Sequence, residues 1–119
     1  QIICEIDTEE LEISDHLAVA INDFCLEACC TSGSMLEKYI FSRILGGIMN
    51  EAMWASIEGI ATPKDIDTAM KMGTNYPRGP LEWVDVVGIE KVQNLLSALN
   101  ETVSDDRFAS PPYGTVSAE

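Results

Sequence analysis

The stretch Thr62–Gly88, TPKDIDTAMKMGTNYPRGPLEWVDVVG, constrains this chain more than any other. Thr62-Pro63-Lys64-Asp65 joins an N-cap hydroxyl, a proline at the first helical position and an acid in the first turn. That is the chemistry of a helix start. Ile66, Ala69 and Met70 then fall on one side of a short helix, which Gly73 is expected to stop. Pro80 opens a second short helix over Leu81–Val87, and Gly88 closes it. A central β-strand has no use for prolines at this spacing, so a sheet is excluded here. GTNYPRG becomes a rigid corner between two helices, with Tyr76 and Trp83 free to pack against a third.

That third element begins near Met35. Leu36, Ile40, Ile44, Ile48 and Ala52 recur every four residues, and Phe41, Leu45, Met49 and Met53 widen the stripe. So broad an apolar face predicts a helix covered on more than one side. Gly46-Gly47 in its middle costs about 1 kcal/mol per glycine relative to alanine, a cost accepted where another backbone comes close. Gly59 suits the C′ position that ends it. Asn50-Glu51 is either a solvent-facing or packing pair, or a buried contact fixing how two helices meet. Arg43 is expected to pair with a carboxylate such as Glu51 or Asp85, or to reach a ligand phosphate.

The flanks also read as helix. From an N-cap at Ser14, apolar residues fall at Leu17, Ala20, Ile21, Phe24, Cys25 and Ala28, and Thr31–Ser34 breaks the pattern. After Gly88, Ile89, Val92, Leu95, Leu96, Leu99 and Val103 mark a last helix of three to four turns. QIICEI at the start is a strand or an ordered arm, and SDDRFASPPYGTVSAE an extended, partly ordered tail. The expected fold is a small all-α domain with an N-terminal arm. It divides into 1–34 (arm and extra helix), 35–104 (the helical domain) and 105–119 (tail).

Composition narrows the function. Twenty acidic against 7 basic side chains give a net charge of −13, which repels phosphate backbones and anionic lipid heads. Nucleic-acid and membrane-surface roles are excluded on that ground. No apolar run reaches the roughly 18 residues that span a bilayer, and the start is acidic, unlike a signal peptide. The expected compartment is therefore the cytoplasm, with Cys4, Cys25, Cys29 and Cys30 reduced. His16 is the only histidine, too little for a zinc site, and it lies beside Asp15 at a helix start. No GxGxxG, P-loop or GxSxG occurs, so the chain alone does not read as a catalyst. Its first residue, Gln1, points to a fragment or a processed product.

The order of the pieces carries a resemblance. Asn50–Ala52, Gly59–Thr62, Asp65–Met70, Gly73, Tyr76–Pro80, Trp83, Asp85 and Gly88-Ile89 follow one another. This series resembles the C-terminal domain of the 3-hydroxyacyl-CoA dehydrogenases, over roughly Leu36 to Asn100. NYPRGPLEW with Asp106-Arg107-Phe108 is most like the second copy of that domain in tandem, 3-hydroxybutyryl-CoA dehydrogenase-type members. The resemblance implies a fold like the C-terminal domain of 6-phosphogluconate dehydrogenase. It also implies a parent that oxidises 3-hydroxyacyl-CoA with NAD, in fatty-acid or related acyl-CoA metabolism. The cofactor and the catalytic His–Glu pair would belong to an N-terminal Rossmann domain, and this fragment would bind no cofactor and be inactive alone. First copies open the long helix with Asn-Arg, where this chain has Ser42-Arg43, so no catalytic residue carries over. The implied partners are a like helical domain, as homodimer or pseudo-dimer, the Rossmann domain and the acyl-CoA substrate. The positions expected at a cleft or interface are Ser42, Arg43, Gly46, Gly47, Asn50, Tyr76, Pro77, Gly79, Pro80 and Trp83. The alternative is a stand-alone acidic helical interaction module without catalysis.

Overall fold

A computed structural model describes residues 12–28, 32–103 and 105–113, and these hold five helices and no strand. The expected N-terminal arm or strand lies outside the described residues, as do Cys4, Cys29 and Cys30.

Each helix starts where local chemistry satisfies its free N–H groups. Helix α1 (Asp15–Glu27) begins with Ser14 Oγ accepting from the Leu17 N–H at 3.1 Å. Helix α2 (Met35–Ile57) opens on a capping box: Ser34 Oγ accepts from Glu37 N, and Glu37 Oε1 accepts from Ser34 N at 2.8 Å. It ends at Glu58, with Gly59 following at φ 77°. Helix α3 (Pro63–Thr74) starts on Thr62, as expected, but runs through Gly73. Its terminator is Asn75, in the left-handed region at φ 61°, which asparagine tolerates better than most residues. Helices α4 (Pro80–Val87) and α5 (Ile89–Asn100) abut at Gly88, φ 100°.

Helix α1 packs chiefly on α5, and α2 crosses both. Phe24, Leu17, Ile21, Met49, Met53, Leu95, Leu96 and Leu99 are each less than 2% exposed. Side chains of this size contribute about 1.5–3 kcal/mol each when fully buried. Phe24 meets Phe41 with centroids 6.3 Å apart.

Helix α2 turns only part of its expected stripe inward: Met49, Ala52 and Met53 are buried, as the pattern suggests. Its buried residues are Ser42, Gly46, Met49, Asn50, Ala52 and Met53. Ile40 and Ile44, from the four-residue repeat, are 43% and 60% exposed. Beside Met49 and Met53 the inner side also carries the small or polar Ser42, Gly46 and Asn50, where other parts of the chain come close. A Cβ on Gly46 would sit 3.2 Å from Leu95 Cδ2 of α5, and one on Gly47 would sit 3.7 Å from Phe108 Cε1. The close neighbours of the glycine pair are thus side chains of the same chain.

The described part of the tail, 105–113, is a strap across α2. Asn50 Nδ2 donates to Arg107 O and Ala109 O (3.4 and 3.2 Å), and Trp54 Nε1 donates to Ala109 O at 2.8 Å. From α5, Asn100 Oδ1 accepts the Phe108 N–H and Gln93 Nε2 donates to Tyr113 O. Phe108 and Tyr113 are buried beneath it. Asn50 therefore ties a strap to a helix, where a contact between two helices is one of the sequence-level readings.

Candidate functional site

The outward isoleucines of α2 form a ridge between two cavities. The larger, about 710 Å³, is walled by Ile44, Ile48 and Ala52 of α2, Ile66 and Met70 of α3, and Pro80. Arg43, Gly47, Glu51 and the strap residues Arg107 and Phe108 complete it. The smaller, about 290 Å³, lies on the other flank of Ile44 and Ile48, between Phe41, Leu45, Tyr76, Pro77 and Trp83. Tyr76 and Trp83 thus close on the outer side of α2, which is why the irregular corner holds the largest rings.

The corner is rigid because a buried carboxylate organises it. Asp67 is 9% exposed, and its Oδ1 accepts the Leu81 N–H at 2.8 Å in the first turn of α4. Burial raises the Asp67 pKa, and the Leu81 N–H opposes that shift. Gly79 N donates to Glu82 Oε1 at 2.8 Å, and Lys71 Nζ reaches Glu82 Oε2 at 3.1 Å. The Gly79 N–H first, then Lys71, hold Glu82 below the usual carboxylate value. Arg78 lies over the Trp83 ring, 5.0 Å from its centroid. On α3 the buried residue is therefore Asp67 rather than the apolar set: Ile66 and Met70 are half-buried walls of the larger cavity, and Ala69 is exposed.

Arg43 does not make the expected carboxylate pair with Glu51 or Asp85. Its Nη1 donates to Tyr39 Oη at 3.0 Å, and its guanidinium lies 5.6 Å from the Phe108 centroid. All of the chain's arginines, Arg43, Arg78 and Arg107, therefore border this face of a chain with a net charge of −13.

The sequence-level candidates divide by side. Arg43, Gly47 and Pro80 line the larger cavity, and Tyr76, Pro77 and Trp83 line the smaller. Ser42, Gly46, Asn50 and Gly79 are packed inside. Ser42 Oγ lies 3.4 Å from Cys25 Sγ on the buried side. Gly79 lacks the Cβ that Asp67 would displace. Sequence reasoning missed Asp67, Arg107 and Phe108 as parts of this face. An acid beside two apolar residues on one short helix was the available signal for Asp67; Asp106-Arg107-Phe108 marked the strap through the resemblance, but no periodicity there placed it on α2. Among the described residues, no group of three or more His, Cys, Asp or Glu could hold a metal, and no helix is long and apolar enough to cross a membrane.

Comparison with known proteins gives this face a context. A family profile described as 3-hydroxyacyl-CoA dehydrogenase, C-terminal domain, matches residues 39–117. The chain is 30% identical over 95 residues to a probable 3-hydroxybutyryl-CoA dehydrogenase of Bacillus subtilis (strain 168), covering 80% of this chain and 29% of that protein. It is 41% identical over 66 residues to the 3-hydroxyadipyl-CoA dehydrogenase of Escherichia coli (strain K12), covering 56% of this chain and 14% of the other. The crystal structure of 3-hydroxybutyryl-CoA dehydrogenase from Escherichia coli K12 superposes with a TM-score of 0.55 at 37% identity, over 64% of this chain and 16% of that one. The chain spans less than a third of the length of each.

Proposed function

Since this chain belongs to the family of 3-hydroxyacyl-CoA dehydrogenase C-terminal domains, we propose that it serves a longer NAD-dependent dehydrogenase as its helical substrate and dimerisation domain. The observation that carries this reading is the uncovered face built on Ile44 and Ile48, apolar and flanked by two cavities on a chain otherwise strongly acidic. Such a face suits a second helical domain of the same kind, an acyl-CoA substrate, or both. The match over 39–117 speaks against a stand-alone interaction module.

NAD is assigned to the Rossmann domain of the parent. A dinucleotide's pyrophosphate is held by free backbone N–H groups at a helix start behind a glycine-rich loop, and this sequence holds no GxGxxG. At α1, α2 and α3 one first-turn N–H is already taken, by Ser14, Ser34 and Thr62, and at α4 Asp67 takes that of Leu81. The role left to this chain is to bind, orient and exclude water, with the proton and the hydride moving elsewhere in the parent.

The test is turnover. A full-length parent containing this chain should oxidise NADH in the presence of acetoacetyl-CoA, and the purified 119-residue chain should not. A full-length protein without that activity, or an isolated chain with it, would overturn the reading.

A further inference from the structure

We propose that the larger cavity takes an acyl group ending in a carboxylate, and that Arg43 and Arg107 select it. The inference rests on the reading of this chain as the substrate domain of a 3-hydroxyacyl-CoA dehydrogenase.

The walls contributed by Ile44, Ile48, Ala52, Ile66 and Met70 suit a methylene chain. Each CH₂ they take from water is worth about 0.8 kcal/mol. An acyl group ending in a methyl would need nothing further. Yet the cavity is bordered by two guanidiniums, both tied to Phe108: Arg43 lies over its ring, and Arg107 precedes it in the strap. Arg43 gives Nη1 to Tyr39 Oη, and none of the ion pairs among the described residues involves it. Arg107 gives Nε and Nη2 to Asp105, which leaves Nη1 outside that pair. A guanidinium carries five N–H donors, so both retain hydrogen-bonding capacity for a carboxylate.

Glu51 also lines the cavity, and Asp105 sits on Arg107, so this border is close to neutral. A head group is therefore not drawn in by a long-range field. It must meet the guanidiniums directly, and selectivity comes from short charge-assisted hydrogen bonds at a partly wet edge. The strap is what puts Arg107 and Phe108 there, through the bonds of Asn50 and Asn100 to its main chain.

The experiment is an NMR titration of the whole 119-residue chain with adipoyl-CoA and hexanoyl-CoA, acyl groups of equal length that differ at the far end. Adipoyl-CoA should bind about five- to tenfold more tightly, a difference of the size a hydrogen bond to a charged group gives at such an edge. Arg43→Gln and Arg107→Gln should each shrink the difference by lowering adipoyl-CoA affinity more than hexanoyl-CoA affinity, a split that general loss of structure does not produce. Equal affinities, or a preference that survives both substitutions, would overturn the assignment while leaving the acyl-CoA reading in place. Free coenzyme A binding as tightly as adipoyl-CoA would put the guanidiniums on its phosphates and overturn it too. If neither thioester shifts any resonance, the acyl-CoA reading of this chain fails and this inference with it.

Discussion

The space that a Cβ on Gly79 would occupy is already filled by the side chain of Asp67. The two residues lock the corner between α3 and α4, since Asp67 also holds the Leu81 N–H. Gly79→Ala should therefore destabilise the chain by about 1–3 kcal/mol or more, the range for overpacking a site that cannot yield. Urea unfolding measures it. Combined with Asp67→Gly, the cost should fall clearly below the sum of the two single changes, because the glycine makes room. Strict additivity would show that the overlap is relieved some other way.

The same carboxyl gives a pH signature. Burial raises its folded-state pKa above the ordinary 3.8, so protonated Asp67 suits its place better than the ion. Its contribution to stability is fully present below that ordinary value and is lost as the pH rises through the raised folded value. Asp67→Asn keeps an oxygen for the Leu81 N–H and has no charge to bury. Relative to wild type, it should gain stability as the pH climbs out of the acid range. Asp67→Ala should instead lose about 1–3 kcal/mol for an unsatisfied buried N–H. Denaturation at several pH values separates the three chains.

Gly46 and Gly47 should answer differently to alanine. Either change gains about 1 kcal/mol of helix propensity. At Gly47 the new methyl meets Phe108 at an ordinary 3.7 Å, so Gly47→Ala should stabilise by about that amount. At Gly46 it meets fully buried Leu95 at 3.2 Å, and the repacking offsets the gain. Gly46→Ala should come out neutral or destabilising. Thermal melts that rank the two the other way would contradict the packing described.

The strap hangs on α2 by donors whose loss is measurable. Asn50 is 1% exposed, and its Nδ2 serves two strap carbonyls. Asn50→Leu should cost about 1–3 kcal/mol, because those carbonyls lose their donor inside the protein. Trp54→Phe, which removes one bond of 2.8 Å at a less buried place, should cost about 0.5–1.5 kcal/mol. Amide exchange should speed up at Ala109 and Phe108 in both, while α1 stays protected. Uniform loss of protection would mean that the strap does not open separately.

What the sequence makes legible here is what local chemistry decides. The starts at Ser14, Thr62-Pro63 and Pro80 and the break at Gly88 are visible because each cap lies within a few residues of the groups it satisfies. The end of α3 is not, since Gly73 permits a stop but does not compel one, and Asn75 takes the left-handed turn. The inward side of α2 is only partly legible, for another reason. A repeat such as Ile40, Ile44, Ile48 reports an apolar stripe without saying which body covers it. Here Met49, Ala52 and Met53 face the core, while α5 and the strap close on Gly46, Gly47 and Asn50 beside them. Asp106-Arg107-Phe108 stands out in the sequence only through the resemblance; its place on α2 is not legible, because the Asn50 and Trp54 donors that fix it lie more than fifty residues upstream.

The outward stripe yields the last prediction. Ile44 is 60% exposed, so Ile44→Asp should change the unfolding free energy by no more than about 0.5 kcal/mol. Its effect should fall on association, since a carboxylate in the middle of an apolar face must be desolvated when a second copy covers it. In sedimentation velocity the wild-type chain should shift toward dimer as concentration rises, and Ile44→Asp should stay monomeric. Two chains of net charge −13 also repel, and salt screens that repulsion while leaving apolar burial intact. Wild-type association should therefore strengthen with ionic strength. An interface held by ion pairs would weaken instead, and a wild-type chain that stays monomeric at every concentration and salt would remove the self-pairing role from this face.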